Sequence, residues 1–269
     1  MKYDLSVLVF DMDGTLYNKA RVYNPRTGSV QDSQDFFRYN AFSALRQGAD
    51  PITVSARLIA EYKKRLADHT LLDAVRVIPN SVKTEFATCL RKHGSNGKVF
   101  IHEFGLDPSY LQELLTHTDF AHILRPDPAL DTALQKLKPH YRIGAFTSDM
   151  YATFLNACQG LKINPTIFNM TTGTKYPILC GENVTDKKPS EQGFQKILQI
   201  YRDVTPDSIA YIGDHLQKDI IPALRCGMQA LHIVGNATDA TERTWQDENS
   251  AKQYLEVPTV EALQKYLLE

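Results

Sequence analysis

Val7-Leu8-Val9-Phe10 runs directly into Asp11-Met12-Asp13-Gly14-Thr15, and the fold turns on how that junction is read. Four apolar residues that stop at a turn fit a short strand buried on both faces. Side chains alternate along a strand, so Asp11 and Asp13 can point to the same side of the sheet's carboxyl edge. Two carboxylates so placed repel each other unless a positive charge lies between them. A divalent cation held by oxygen ligands is the economical arrangement, and Gly14 then lets the chain turn sharply away.

Asp-x-Asp-Gly also opens calcium loops and ordinary turns. A calcium loop needs further oxygen-bearing residues and a Glu at its twelfth position, but the twelfth residue counted from Asp11 is Val22 and Gly14 is followed by Thr15-Leu16-Tyr17. The calcium reading fails there, while an ordinary turn stays open.

The 269 residues suffice for one domain or for one domain carrying a substantial insertion. A formal net charge of −1 gives no global electrostatic case for nucleic acid or an acidic membrane surface. Met1-Lys2-Tyr3-Asp4-Leu5 carries no charged-then-apolar signal segment, and no apolar run approaches the roughly 20 residues that span a bilayer. A cytoplasmic protein with a small-molecule partner is the expectation. Cys89, Cys158, Cys180 and Cys226 are widely spaced, without a CxxC pair, so reduced thiols are expected. His69, His93, His102, His117 and His122 lack metal-binding spacing.

From about residue 33 to 122 no strand is evident. Amphipathic helices are expected at about 35–48, 52–68, 80–93 and 108–120, separated by the turn-rich stretches Gly48-Ala49-Asp50-Pro51 and Gly94-Ser95-Asn96-Gly97. Asp107-Pro108 reads as an N-cap and first-turn proline. Beyond Pro126 the pattern alternates. Helices are expected at about 129–137, 151–160, 190–201, 219–226 and 260–268, and strands at 142–146, 208–212 and 229–234. A short strand is expected near 166–169, and the polar stretch 236–252 reads as a loop. Strands separated by helices imply parallel pairing. The expected fold is α/β: a Rossmann-like parallel-sheet core, residues 1–19 and 124–269, with an all-helical cap, residues 20–123, inserted after the first strand.

Ligands of open parallel sheets bind beyond the carboxyl ends of the strands. Strand 142–146 delivers Thr147-Ser148-Asp149, where a hydroxyl and backbone N–H groups at a helix start suit a phosphate oxygen, although a plain helix cap fits as well. Lys188-Pro189 precedes a helix and offers a fixed positive charge, or a solvated lysine. Strand 208–212 leads through Gly213 to Asp214, with Asp219 near a helix start. Taken with Asp11 and Asp13, these gather four carboxylates at one edge, tolerable only with a cation and a nearby lysine.

In order, Asp11-x-Asp13-Gly14-Thr15, Thr147, Lys188-Pro189 and Gly213-Asp214-x-x-x-x-Asp219 resemble the four motifs of the haloacid dehalogenase superfamily, and the helical insertion resembles that superfamily's cap. The resemblance implies Mg²⁺-dependent phosphoryl transfer through an aspartyl-phosphate. It makes Asp11 the nucleophile and Asp13 the acid/base, with Thr147, Ser148 and Lys188 as phosphoryl contacts. It places the metal at Asp11, the Asp13 carbonyl and Asp214, with Asp219 binding through water or orienting Lys188. Ser148 departs from the family's frequent Asn. Asp13 sets the chain apart from the namesake dehalogenases, which lack an acid two residues after the nucleophile.

The segments Phe10 to Tyr17 and Phe104 to Leu130 resemble the pyrimidine 5′-nucleotidase branch, which implies a nucleoside 5′-monophosphate as substrate and a cap that shields the phosphoryl centre. Phosphoglycolate, a sugar phosphate, a phosphomutase reaction and a non-catalytic binding role are the alternatives. Tyr39, Arg46, Tyr62 and Arg65 could meet a base, but amphipathic helices carry such residues routinely.

Overall fold

The computed structural model describes residues 4–17, 23–24, 28–235, 238–246 and 251–268, with the side chains of residues 23, 24 and 122 outside the description. Met1-Lys2-Tyr3, Val22 and parts of the 236–252 stretch therefore lie outside the described residues. The chain divides into two units, residues 1–18 with 126–269, and residues 19–125.

In the first unit, β1 (Val7–Phe10) is buried at every residue. It pairs in parallel with β4 (Arg142–Ala145) on one side and β5 (Ile209–Gly213) on the other. Parallel β6 (Gln229–Ile233) and β8 (Ala251–Val257) extend the sheet, and β7 (Thr241–Gln246) closes it antiparallel to β8, giving the order β4-β1-β5-β6-β8-β7. The α/β expectation holds, because the central strands are the continuous apolar runs that two covered faces demand.

The helices of this unit are α8 (Pro128–Leu137), α9 (Tyr151–Leu161), α10 (Gln192–Ile200), α11 (Ile221–Arg225) and α12 (Leu263–Leu267). Helix α8 starts where Asp127 caps it, the side chain accepting the Leu130 N–H at 2.9 Å. Packing around α10 is tight: a Cβ on Gly193 would lie 2.1 Å from the Phe146 ring. That aromatic side chain therefore requires glycine opposite it.

Three expectations for this unit need correction. Residues 166–169 are not a strand. Pro165–Ile167 form a 3₁₀ turn, started by Asn164 accepting the Thr166 N–H at 3.0 Å. The 236–252 stretch contains β7 rather than a loop. Its residues are mostly exposed, so hydrogen bonding to β8, and no apolar alternation, makes it a strand. The helix expected from 219 begins earlier, as a π-helical turn at Leu216–Ile220 that runs into α11.

The second unit holds the small antiparallel pair β2 (Tyr23–Asn24) and β3 (Gly28–Ser29), then α1 (Val30–Arg46), α2 (Pro51–Ala67), α3 (Leu71–Arg76), α4 (Asn80–His93), α5 (Asn96–Phe104), α6 (Tyr110–Leu115) and α7 (Phe120–Ile123). Ser29 and Asp32 form a reciprocal capping box at the start of α1. The helix expected over 108–120 is shorter, α6 over Tyr110–Leu115, because Asp107 accepts both the N–H and the hydroxyl of Ser109 in a local turn that delays its start; α7 begins only at Phe120. Likewise Gly97, read as part of a turn, lies inside α5, whose cap is Ser95.

Aromatic side chains fill this unit's core. Phe36, Phe37, Phe42, Tyr62, Phe86 and Phe100 are all buried. Tyr62 donates to Ser33 Oγ at 3.0 Å and accepts the Asp119 N–H at 3.1 Å. Arg46 pairs with Glu85 and Glu103, Arg65 with Glu61, and Tyr39 packs edge-on against Phe86. These four side chains are thus engaged within the unit. No helix among the described residues is long and apolar enough to cross a membrane.

Candidate active site

Register brings the site together. Phe10 pairs with Ala145 and with Ile212, so β1, β4 and β5 finish side by side, and the residues that follow emerge at one carboxyl edge. Asp11 leaves β1 with its N–H bound to Ile212 O at 2.8 Å, and Phe146 donates to Phe10 O at 2.9 Å. Asp11 is 5% exposed and Asp219 2%. Lys188 arrives from the loop before α10, and its side chain is only 6% exposed.

The ammonium of Lys188 lies 2.5 Å from Asp11 Oδ1, 2.7 Å from Asp219 Oδ1 and 2.9 Å from the Tyr211 hydroxyl. Burial opposes its charge, but Asp11, Tyr211 and Asp219 outweigh burial and hold the ammonium pKa well above its ordinary value. Burial pushes the Asp11 carboxyl up to about 8, with Lys188 opposing and Asp219 adding to the rise. One ammonium against several neighbouring carboxylates leaves the cluster net negative, which invites a further cation.

Asp11, Asp214 and Asp219 can each offer a carboxylate oxygen such that all three lie within 4.8 Å of one another. Gly14 makes room for one of them. Its φ is +84°, and a Cβ there would fall 1.9 Å from Asp214 Oδ2. Hard oxygen donors converging on one point suit a divalent cation such as Mg²⁺, so this donor set fits the metal that the sequence motifs imply. Asp219 stands apart from the other two. One of its oxygens takes Lys188 and the other accepts the His215 N–H at 3.1 Å, which makes it first a support for the lysine. The same support explains Gly213, where a Cβ would sit 2.4 Å from Asp219 Cβ.

Asp13 is half-buried two residues beyond Asp11, and the buried Tyr17 phenol donates to its Oδ1. Thr147 follows β4 and is 2% exposed; its Oγ1 accepts the Asp149 N–H at 3.1 Å. Ser148 is half-buried beside it. Helix α9 begins only at Tyr151, and the Tyr151 N–H is taken by both oxygens of Glu182 at 3.0 and 2.9 Å. The helix thus starts where the sequence places it, and its Tyr151 N–H is already taken by a carboxylate. The four cysteines carry free thiols, and burial pushes those of Cys158 and Cys180 up to about 12.

Sequence reasoning missed three contacts of this site. Tyr17, within the segment that follows Asp11, was not assigned to Asp13, and Tyr211, within the expected strand 208–212, was not assigned to Lys188. His232, on the strand next to Asp214, brings Nε2 within 3.0 Å of the Asp214 backbone oxygen. The one available signal was a tyrosine in the otherwise aliphatic run Ile209-Ala210-Tyr211-Ile212.

Comparison with known proteins accords with this geometry. In a search of curated proteins, none matches the chain. Among solved structures it is similar to a HAD phosphatase from Thermococcus onnurineus, at 19% identity over 98% of each chain with a TM-score of 0.55. It is also similar to the HAD-hydrolase YfnB from Bacillus subtilis, solved bound to magnesium, at 14% identity over 100% of each chain with a TM-score of 0.53. A dehalogenase with an intermediate complex aligns at 14% identity over 100% of each chain with a TM-score of 0.51. At these identities the likeness is one of fold. A family model of haloacid dehalogenase-like hydrolases matches residues 5–227. With its carboxylates and lysine set at the strand edge, this chain belongs to the haloacid dehalogenase-like hydrolase family.

Proposed function

We propose that the protein is a Mg²⁺-dependent phosphomonoester hydrolase that works through a phosphoryl group carried on Asp11, and that its substrates are nucleoside 5′-monophosphates. The observation that carries the reading is the buried cluster in which Lys188 lies 2.5 Å from Asp11 and 2.7 Å from Asp219, with a second acid, Asp13, two residues beyond Asp11. One acid attacks and the other handles the proton.

A carboxylate oxygen of Asp11 attacks phosphorus while the P–O bond to the leaving group breaks, and Asp13 gives that oxygen its proton. Asp13, now a carboxylate, takes a proton from water as the water oxygen attacks phosphorus and the bond to Asp11 breaks, releasing phosphate. Lys188 neutralises charge on the phosphoryl oxygens, and the Thr147 hydroxyl and Ser148 hold one of them. Asp11, Asp214 and the Asp13 carbonyl would hold Mg²⁺, which when bound supplies positive charge to the phosphoryl group. The dehalogenase alternative is disfavoured by Asp13, which chemistry at carbon does not need.

The substrate class rests on the resemblance of residues 10–17 and 104–130 to pyrimidine 5′-nucleotidases. The test is phosphate release from nucleoside monophosphates, sugar phosphates and phosphoglycolate, with Mg²⁺ and with a chelator. Chelator-sensitive release favouring UMP and CMP is the expected result. Preference for another ester would discard the substrate while keeping the chemistry, and release that survives the chelator would discard the metal.

A further inference from the structure

Tyr211 stands at the centre of β5, fully buried, on the same side of the sheet as Phe146 and Phe194, whose ring centroids lie 6.3 and 4.9 Å from its own. Its hydroxyl is 2.9 Å from Lys188 Nζ, 3.1 Å from the Phe146 carbonyl oxygen and 3.4 Å from Asp219 Oδ1. An ammonium only donates, so the phenol oxygen accepts from Lys188, and the phenol proton goes to Phe146 O, the shorter of the two remaining contacts. The three N–H bonds of Lys188 then have one acceptor each: Asp11, Asp219 and Tyr211. The rings add to this, with Nζ 5.3 Å from the Phe146 centroid and 5.5 Å from that of Tyr211.

Packing alone does not account for a tyrosine here. Phenylalanine fills the same space, whereas a buried hydroxyl must recover its lost hydration through partners. Of the three acceptors, Tyr211 is the uncharged one. Without it, the third N–H of the ammonium would lose its acceptor, and the two carboxylates alone would set where the charge sits.

We propose that Tyr211 is a positioning residue: its hydroxyl takes the third N–H of Lys188 and so aims the ammonium between Asp11 and Asp219. This rests on the roles given to Asp11 and Lys188 under the proposed function.

The test is Tyr211→Phe. Circular dichroism, melting temperature and Mn²⁺ affinity should stay near wild type, the last within about twofold, while kcat for phosphate release falls about 10- to 100-fold and KM changes less. In ¹⁵N-lysine-labelled protein, the Lys188 ammonium resonance, assigned by its absence in Lys188→Arg, should be sharp in wild type and broadened away in Tyr211→Phe. Wild-type kcat with an intact resonance would overturn the proposal, and so would a lowered melting temperature with kcat and resonance unchanged. Should Tyr211→Phe fail to fold, a broad, fast-exchanging Lys188 signal in wild type overturns it and a sharp one supports it. If wild type hydrolyses no phosphomonoester, the functional reading fails alone, and the resonance comparison still decides Tyr211.

Discussion

At the scale of single residues, the site is built from atoms that would not tolerate substitution for steric and electrostatic reasons that can be told apart. Gly14 is the clearest case, since both its φ of +84° and the 1.9 Å approach of Asp214 exclude a side chain. Gly14→Ala is expected to cost about 1–3 kcal/mol of stability in denaturant unfolding and to weaken Mn²⁺ binding about tenfold by displacing Asp214. Unchanged Mn²⁺ affinity would show that Asp214 takes no part in the cation site. Asp11, Asp13 and Asp214 were legible in the sequence as charges that follow buried strands, whereas Lys188 and Asp219, in a loop and a helical turn, were singled out only by their order with those acids. Tyr211 and His232 were not legible, since an aromatic in an apolar strand looks the same whether its polar tip is used or not, and Tyr17 was not because it meets Asp13 only through the turn between them.

At the scale of elements, the strands that converge on the site were read from their apolar runs, and α4 was read over its full span from Asn80 to His93. Elements set by pairing or local turns escaped. Strand β7 is exposed along nearly its whole length, and α3 has only six residues. Helices α1, α4 and α5 meet through a polar hub that periodicity does not show. Glu103 accepts from His93 at 2.6 Å, Arg46 at 2.7 Å and Lys92 at 3.3 Å, which holds its carboxyl down at about 2, below the ordinary 4.5. A lowered folded-state pKa means that the stabilisation is fully present above about pH 4.5 and is lost as pH falls towards about 2. Glu103→Gln should therefore melt below wild type at pH 7, with the gap closing as the buffer is taken from pH 4.5 towards 2. A gap independent of pH would show that the carboxylate charge contributes nothing.

At the scale of the whole molecule, residues 19–125, which in chain order fall between β1 and β4, make a unit of their own that is mostly helical rather than all-helical, since it also holds the β2–β3 pair. The long strand-free stretch of sequence signalled that insertion, since one helix usually suffices to join parallel neighbours and here the next strand of the same sheet is β4 at Arg142. The sheet edge is left to do the chemistry, and the central claim is that a phosphoryl group passes through Asp11. Asp13→Asn slows leaving-group protonation as well as the water step, so with an aryl phosphate, whose leaving group departs with little need of a proton, formation persists while breakdown is slowed and that species should accumulate. The most direct measurement is acid quenching of Asp13→Asn after mixing with Mg²⁺ and an aryl phosphate, followed by peptide mass spectrometry. A phosphoryl group on Asp11, absent when Asp11→Asn is combined with Asp13→Asn, is the predicted result; wild-type release of phosphate with no such adduct, or an adduct on another residue, would contradict the account.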